Sequence, residues 1–180
     1  MITDGEIIQR FRDPENREET FGLLVRKYQE RLYWHIRKIV LVHEDTDDVL
    51  QNTFVKVWKN LGSFRQESGL FTWIYRIATN EALTFLKQKQ RRRIHGSEDL
   101  TEQLADNLEA DVYFNGDEIQ LKLQQAILTL PEKQRVVFNM RYFDEMKYEE
   151  MAEILSTSKG ALKASYHHAV KKIEHFMKID

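Results

Sequence analysis

Phe21, Leu24, Val25, Tyr28, Leu32, Ile36 and Ile39 recur at three- and four-residue steps, which puts them on one stripe of a helix from about Glu18 to Val42. The same period returns along most of the chain. Val49, Leu50, Phe54, Val57, Trp58 and Leu61 mark a second helix. Asp45-Thr46-Asp47-Asp48 opens it, with carboxylates suited to the positive end of a helix dipole. Gly62 to Gly69 reads as a loop. A third helix begins near Leu70, with Phe71, Ile74, Ile77, Ala78, Ala82 and Phe85 facing inward, and ends in Lys87-Gln88-Lys89-Gln90-Arg91-Arg92-Arg93. Further on, Ile119, Leu123, Ile127 and Leu130 precede Pro131, which suits the first turn of a helix carrying Val136, Val137, Met140 and Phe143. Two last helices are expected over about Tyr148 to Leu155 and Lys159 to Met177, with Ser158 as an N-cap. Only 2 Pro and 7 Gly interrupt 180 residues, so the chain reads as all-α.

Charge divides this helical chain in two. From Ile94 to Gln120 there is no Lys or Arg, while eight of the 29 acidic residues fall there. The remainder carries 27 basic against 21 acidic residues, so a net charge of −2 conceals two mildly basic units and an acidic strap. The expected organisation is a helical domain over residues 1–94, an acidic linker, flexible in isolation, over 95–115, and a second helical domain over 116–180. The chain has no Cys, hence no disulfide frame and no thiolate metal site. No apolar run is long enough to span a bilayer, and the first residues lack a signal-peptide layout. A cytoplasmic protein without cofactor or small-molecule substrate is expected.

The last two helices form a helix-turn-helix pattern. Tyr148, Met151, Ala152 and Leu155 face Leu162, Tyr166, Ala169 and Ile173, with Ala152 and Ala161 small enough for a close crossing. The second helix would enter a major groove and present Ser158, Lys159, Gly160, Lys163, Ala164, His167, His168 and Lys171. The alternative is a helical hairpin whose basic face is merely solvated. Adjacent His167 and His168 point about 100° apart and do not suit one metal ion.

Two segments of the first domain suggest further binding. Phe71-Thr72-Trp73-Ile74-Tyr75-Arg76-Ile77-Ala78-Thr79-Asn80 holds more aromatic and polar groups than one buried stripe needs. Exposed rings beside cations suit single-stranded DNA, and Asn80 with the Phe64–Gly69 loop could frame a flipped base. The competing reading makes Trp73 and Tyr75 ordinary core. On the second helix, Asp48, Gln51 and Asn52 share a polar face beside Trp58, which suits docking onto another protein. A metal site at His43 to Asp48 is the weaker reading, because the helix dipole accounts for the carboxylates.

Taken in order, the segments Asp48 to Trp58, Ser63-Phe64-Arg65 and Phe71 to Asn80 resemble region 2 of extracytoplasmic-function (ECF) sigma factors of the sigma-70 family. Leu130-Pro131-Glu132-Lys133-Gln134-Arg135, Tyr148 to Ala152 and Gly160 to Lys163 resemble their region 4. The resemblance spans nearly the whole chain, with the acidic linker in place of a middle domain. It implies a sigma factor, not an enzyme, which binds core RNA polymerase and directs initiation at particular promoters. Asp48, Gln51 and Asn52, with Phe54 and Trp58, would dock on the clamp helices of the largest subunit. Phe64, Arg65, Trp73, Tyr75, Arg76, Ile77 and Asn80 would recognise and melt the −10 element. The Lys159 helix would read the −35 element while its neighbours touch the polymerase flap. An anti-sigma factor is a further implied partner. Ser165, where the family commonly has Arg, and Lys147, where a capping Ser or Thr is common, depart from the pattern.

Two other classes compete with this. A regulator binding DNA through its helix-turn-helix would leave Trp73 to Arg76 and Asp48 to Gln51 incidental. A helical enzyme built on Asp45 to Asp48 would lack a base–nucleophile pair.

Overall fold

The computed structural model describes residues 2–93 and 118–178. Among these residues the chain is helical: α1 Asp4–Phe11, α2 Arg17–Val40, α3 His43–Asn60, α4 Leu70–Arg93, α5 Glu118–Leu128, α6 Glu132–Tyr142, α7 Tyr148–Leu155 and α8 Lys159–Lys178. Short 3-10 turns sit at Pro14–Asn16 and Leu61–Ser63. The expected linker, residues 95–115, falls wholly outside the described residues.

Helix α1 was not among the expected elements. It starts with a capping box, in which Glu6 N–H donates to Thr3 Oγ1 and Thr3 N–H donates to Glu6 Oε2 at 2.8 Å. Ile7, Ile8 and Phe11 bury its inner face. The Phe11 ring meets Trp58 edge-on at 5.3 Å and Phe21 at 6.3 Å. Asp4 ties the helix to α2 by accepting from Tyr28 Oη at 2.5 Å and from Lys27 Nζ at 2.6 Å.

Helix α2 ends where Leu41 turns left-handed at φ 66° and donates its N–H to the Arg37 carbonyl. The reversal lets α3 begin at His43, two residues before the expected acidic start, so Glu44 and Asp45 lie in its first turn. Helix α4 then packs against both α2 and α3. Ile74, Tyr75, Ala78 and Ala82 are essentially inaccessible, and the two alanines keep that face of α4 small.

Tyr75 corrects an expectation. It is 2% exposed, its ring lies 4.4 Å from both Phe71 and His35, and its hydroxyl donates to the Arg31 carbonyl at 3.3 Å. One turn separates Phe71 from Tyr75 and Tyr75 from Thr79, so all three follow a single inward line. Burial also pushes the phenol's pKa upward. This ring is core and cannot stack on a DNA base.

In the second domain, Ala126, Ile127, Leu130, Phe138, Ala169 and Ile173 make a local core from α5, α6 and α8. Phe138 stacks on Tyr142 and Tyr166 at 5.1 and 5.8 Å. Pro131 lies one residue before α6, at its N-cap rather than inside its first turn. The two domains are not separate bodies joined only by a tether. Val136, Val137, Met140, Met146, Met151, Ile154 and Leu162 share one continuous apolar cluster with the first domain, and α7 packs on α4.

Tyr75→Phe, which keeps the ring, should change unfolding stability by no more than about 1 kcal/mol. Tyr75→Ala should cost about 3–5 kcal/mol. Urea denaturation followed by circular dichroism measures both.

Candidate nucleic-acid interface

The end of α3 and the start of α4 enclose a cavity of about 470 Å³. Its floor is aromatic. Phe64 is buried, and its ring lies 4.9 Å from the half-buried ring of Trp73 at an interplanar angle of 36°. Arg65, Arg76, Ile77 and Asn80 line the same space. On α4 these follow from helical spacing: Trp73, Arg76, Ile77 and Asn80 are three or four apart and flank the buried line through Tyr75. Thus six of the seven expected pocket residues converge, and Tyr75 stands behind them in the core.

The opposite wall comes from Lys56, Asn60 and Ser63, which were not among the expected pocket residues. Asn60 donates to the Lys56 carbonyl at 2.8 Å, and Ser63 donates to the Asn60 carbonyl at 3.0 Å. Those bonds shape the turn out of α3. Lys56 also pairs with Glu81 of α4. Chemically, the cavity offers an aromatic floor, two side-chain amides that both donate and accept, cations at its rim, and one carboxylate, Glu67, 3.9 Å from Arg65. Such a set can hold an unstacked base and neutralise its phosphate.

Asp48, Gln51 and Asn52 are exposed on one face of α3. Val55, 46% exposed, extends that face by one turn. It escaped notice because a lone valine between polar residues carries no periodic signal. Phe54 and Trp58 do not join the exposed face as free anchors. Phe54 meets Phe21 edge-on at 6.3 Å, and Trp58 packs on Phe11 and Phe21. The unforeseen α1 supplies Phe11 and explains this correction.

In the helix-turn-helix, α7 stops at Ser156, left-handed at φ 50°. Two residues later the Ser158 hydroxyl accepts the Ala161 N–H at 3.3 Å and caps α8. Lys147 at the start of α7 supplies no side-chain cap, and only the return half of a capping box is made: Glu150 accepts the Lys147 N–H at 3.0 Å. Lys159, Gly160, Lys163, Ala164, His167, His168 and Lys171 all face solvent along α8. A Cβ added at Gly160 would meet nothing within 4 Å, so internal packing does not require glycine there. Lys159 pairs with Glu149 at 3.0 Å, and the other cations of this face are open to a polyanion.

The basic end of α4 is less uniform. Lys87 and Arg91 are exposed, whereas Lys89 contacts Asp45 at 2.5 Å. The side chains of Arg92 and Arg93 lie outside the described residues. Also among the described residues, no cluster of three or more His, Cys, Asp or Glu could hold a metal, and no helix is long and apolar enough to cross a membrane.

A helical unit with an aromatic-floored cavity is thus followed by a helix-turn-helix with a basic face, an arrangement suited to nucleic acid. Residues 24–92 match the family described as Sigma-70 region 2, and residues 120–173 match Sigma-70, region 4. The RNA polymerase sigma-H factor of Pseudomonas aeruginosa is 30% identical over 95% of this chain and 92% of that protein. The ECF RNA polymerase sigma-E factors of Haemophilus influenzae and Escherichia coli K12 are 28% and 29% identical, each over 97% of this chain and 95% and 94% of theirs. Two solved structures share the fold. CnrH, in complex with the cytosolic domain of CnrY, aligns with a TM-score of 0.69 at 21% identity, covering 98% of both chains. The Bartonella quintana sigma factor RpoE, in complex with the anti-sigma factor NepR, aligns at 0.66 and 20% identity, covering 89% of this chain and 98% of that one. The chain belongs to the sigma-70 family, in its ECF class. It is a sigma factor that binds core RNA polymerase and directs promoter-specific initiation, through region 2 at the −10 element and region 4 at the −35 element.

Ser158→Ala should lower stability by about 0.5–2 kcal/mol and Ser158→Gly by only a few tenths, because glycine tolerates the cap conformation. Thermal and urea denaturation of the two variants checks the difference.

Proposed function

We propose that residues 1–94 hold the −10 element and residues 116–180 the −35 element, with residues 95–115 spanning toward the RNA exit path. The cavity beneath Asn80 carries this reading. Its dimensions suit one nucleotide, and its floor offers a ring surface that any base can stack on. A base flipped from the non-template strand enters between Trp73 and Asn60, with Ile77 closing the apolar side and Asn80 reading its edge. Arg65 and Arg76 hold the adjoining phosphates. The floor is already paired as Phe64 on Trp73, so little ordering entropy is lost when a base arrives.

Asp48, Gln51 and Asn52, extended by Val55, dock on the clamp helices of the largest polymerase subunit. Phe54 and Trp58 support that surface from beneath. Across the duplex, Lys159, Lys163, His167, His168 and Lys171 contact phosphates and base edges, while Ser158, Gly160 and Ala164 let the backbone come close. The flap meets the neighbouring surface of the same unit. The protein works by binding and positioning, in the cytoplasm, without cofactor or catalytic group of its own. An anti-sigma factor is its natural antagonist, in keeping with the complexes in which CnrH and the Bartonella protein are found.

Two variants separate the docking face from the pocket. Asp48→Arg with Gln51→Ala should abolish holoenzyme assembly in a pull-down with core polymerase and leave the circular dichroism spectrum unchanged. Unimpaired assembly would remove the docking assignment. Asn80→Ala should preserve assembly yet cut promoter opening by about 5- to 150-fold, the equivalent of about 1–3 kcal/mol for one lost base contact. Run-off transcription and permanganate footprinting on −10 variants measure that loss, and normal opening on all of them would locate the pocket elsewhere.

A further inference from the structure

Lys159, the first residue of α8, does not face DNA alone. Its Nζ donates to Glu149 Oε1 of α7 at 3.0 Å, and both side chains are more than half exposed. Lys163, one turn along the same side of α8, lies 5.8 Å from the centre of the Tyr148 ring, which Arg141 approaches to 5.3 Å. Adjacent residues of α7 thus engage both cations at the start of α8. They do so differently. An aromatic ring attracts a cation and leaves its charge available to a phosphate, whereas a carboxylate cancels it. The bond from Lys159 holds the Glu149 carboxyl below its usual pKa, and its own backbone N–H and the charges of Lys159 and Lys163 add to the effect. Glu149 is therefore an anion at neutral pH.

The cap of α7 does not need this carboxylate, because Glu150 already accepts the Lys147 N–H. An acid in a first turn gains from the helix dipole, but Glu149 also reaches across to the next helix. Its place is unfavourable for DNA. In a helix-turn-helix the second helix enters the major groove by its N-terminal residues, while the first crosses the backbone. Glu149, at the start of α7 and against the start of α8, therefore faces phosphates. A carboxylate there repels the polyanion and competes with it for Lys159. By contrast Lys171, about two turns beyond Lys163, has no acid within ion-pair distance among the described residues.

We propose that Glu149 is a specificity-determining residue of the −35 surface, which keeps Lys159 off the backbone of unmatched duplex and yields it only at a matched element. This rests on the α8 face being that surface. When Lys159 turns to a phosphate, Glu149 is left as an unpaired carboxylate beside the DNA. At a matched element the base contacts of α8 compensate for that repulsion. On unmatched duplex nothing does, so Lys159 stays with Glu149 and one phosphate contact is not made. Discrimination arises because a repulsive group acts more on the wrong partner than on the right one. An exposed pair of this kind is weak, which is what lets a matched element displace it. Lys163, held by Tyr148 with its charge intact, contributes to both kinds of complex.

Fluorescence anisotropy of the full-length chain on a labelled mixed-sequence duplex, across a range of salt, reads the number of phosphate contacts. Glu149→Gln should bind that duplex about 3- to 6-fold tighter at about 0.15 M salt and steepen the salt slope by about 0.9, as for one added contact. Glu149→Gln combined with Lys159→Ala should return the slope to that of the wild type. Glu153→Gln removes the same charge from an exposed position one turn along α7 and should leave the slope unchanged. Run-off transcription with core polymerase, on a promoter selected from a randomised library, reads the preference for an intact over a scrambled −35 element. Glu149→Gln should lower that preference by about 3- to 6-fold. Circular dichroism verifies that the variants stay helical. An unchanged slope for Glu149→Gln, an equal steepening by Glu153→Gln, or an undiminished preference overturns the proposal. Lys163→Ala with Lys171→Ala separates its failure from that of the surface assignment. If that variant binds duplex more weakly while Glu149→Gln alters nothing, the proposal falls and the α8 face stands; if it binds as the wild type does, both fall.

Discussion

Burial of one face of α4 is the constraint on which the rest of the molecule depends. Ile74, Tyr75, Ala78 and Ala82 give that helix a continuous inaccessible line. Once it is fixed, the 100° step of the helix sends Trp73, Arg76, Ile77 and Asn80 to the flank that forms the pocket. The pocket therefore follows from core packing, held in place by buried residues that do not line it. This is how a binding site stays ordered on a rigid element. It also explains why Tyr75, one residue from both Ile74 and Arg76, belongs to stability and not to recognition.

The aromatic group at the other end of the domain works in the same way. Phe11, Phe21, Phe54 and Trp58 meet edge-on, an arrangement favoured by the ring quadrupoles. They fasten α1 across α2 and α3 and leave the outer side of α3 to Asp48, Gln51, Asn52 and Val55. Two opposed surfaces thus rest on one core. One surface is polar with a single exposed apolar residue, as expected for a protein partner. The other is an aromatic-floored cavity rimmed by cations, as expected for nucleic acid.

Between the domains, polar and apolar contacts are divided unevenly. The seam of Val136, Val137, Met151, Ile154 and Leu162 contributes burial, which is non-directional. The contact of Asp144 with His35 and Lys38 contributes direction, because a buried carboxylate is tolerated only where its partners are in place.

Every helix but α1, the basic face of α8 and the acidic segment between two basic halves were legible from the chain alone. Each depends on local spacing: a 3.6-residue period, a cap three residues from its partner, a count of charges along a stretch. Several of the pocket residues, Ile77 among them, came instead from the resemblance of their segments to sigma region 2. The sequence could not say on which side of α4 Tyr75 and Trp73 would fall, because both are aromatic and they sit only two residues apart. Nor could it show that Lys56 and Asn60 complete the cavity, that α1 covers Trp58, or that Asp144 reaches His35 across 109 residues. Those outcomes depend on which helix faces meet, and that is decided by the joint packing of the whole core rather than by any one segment.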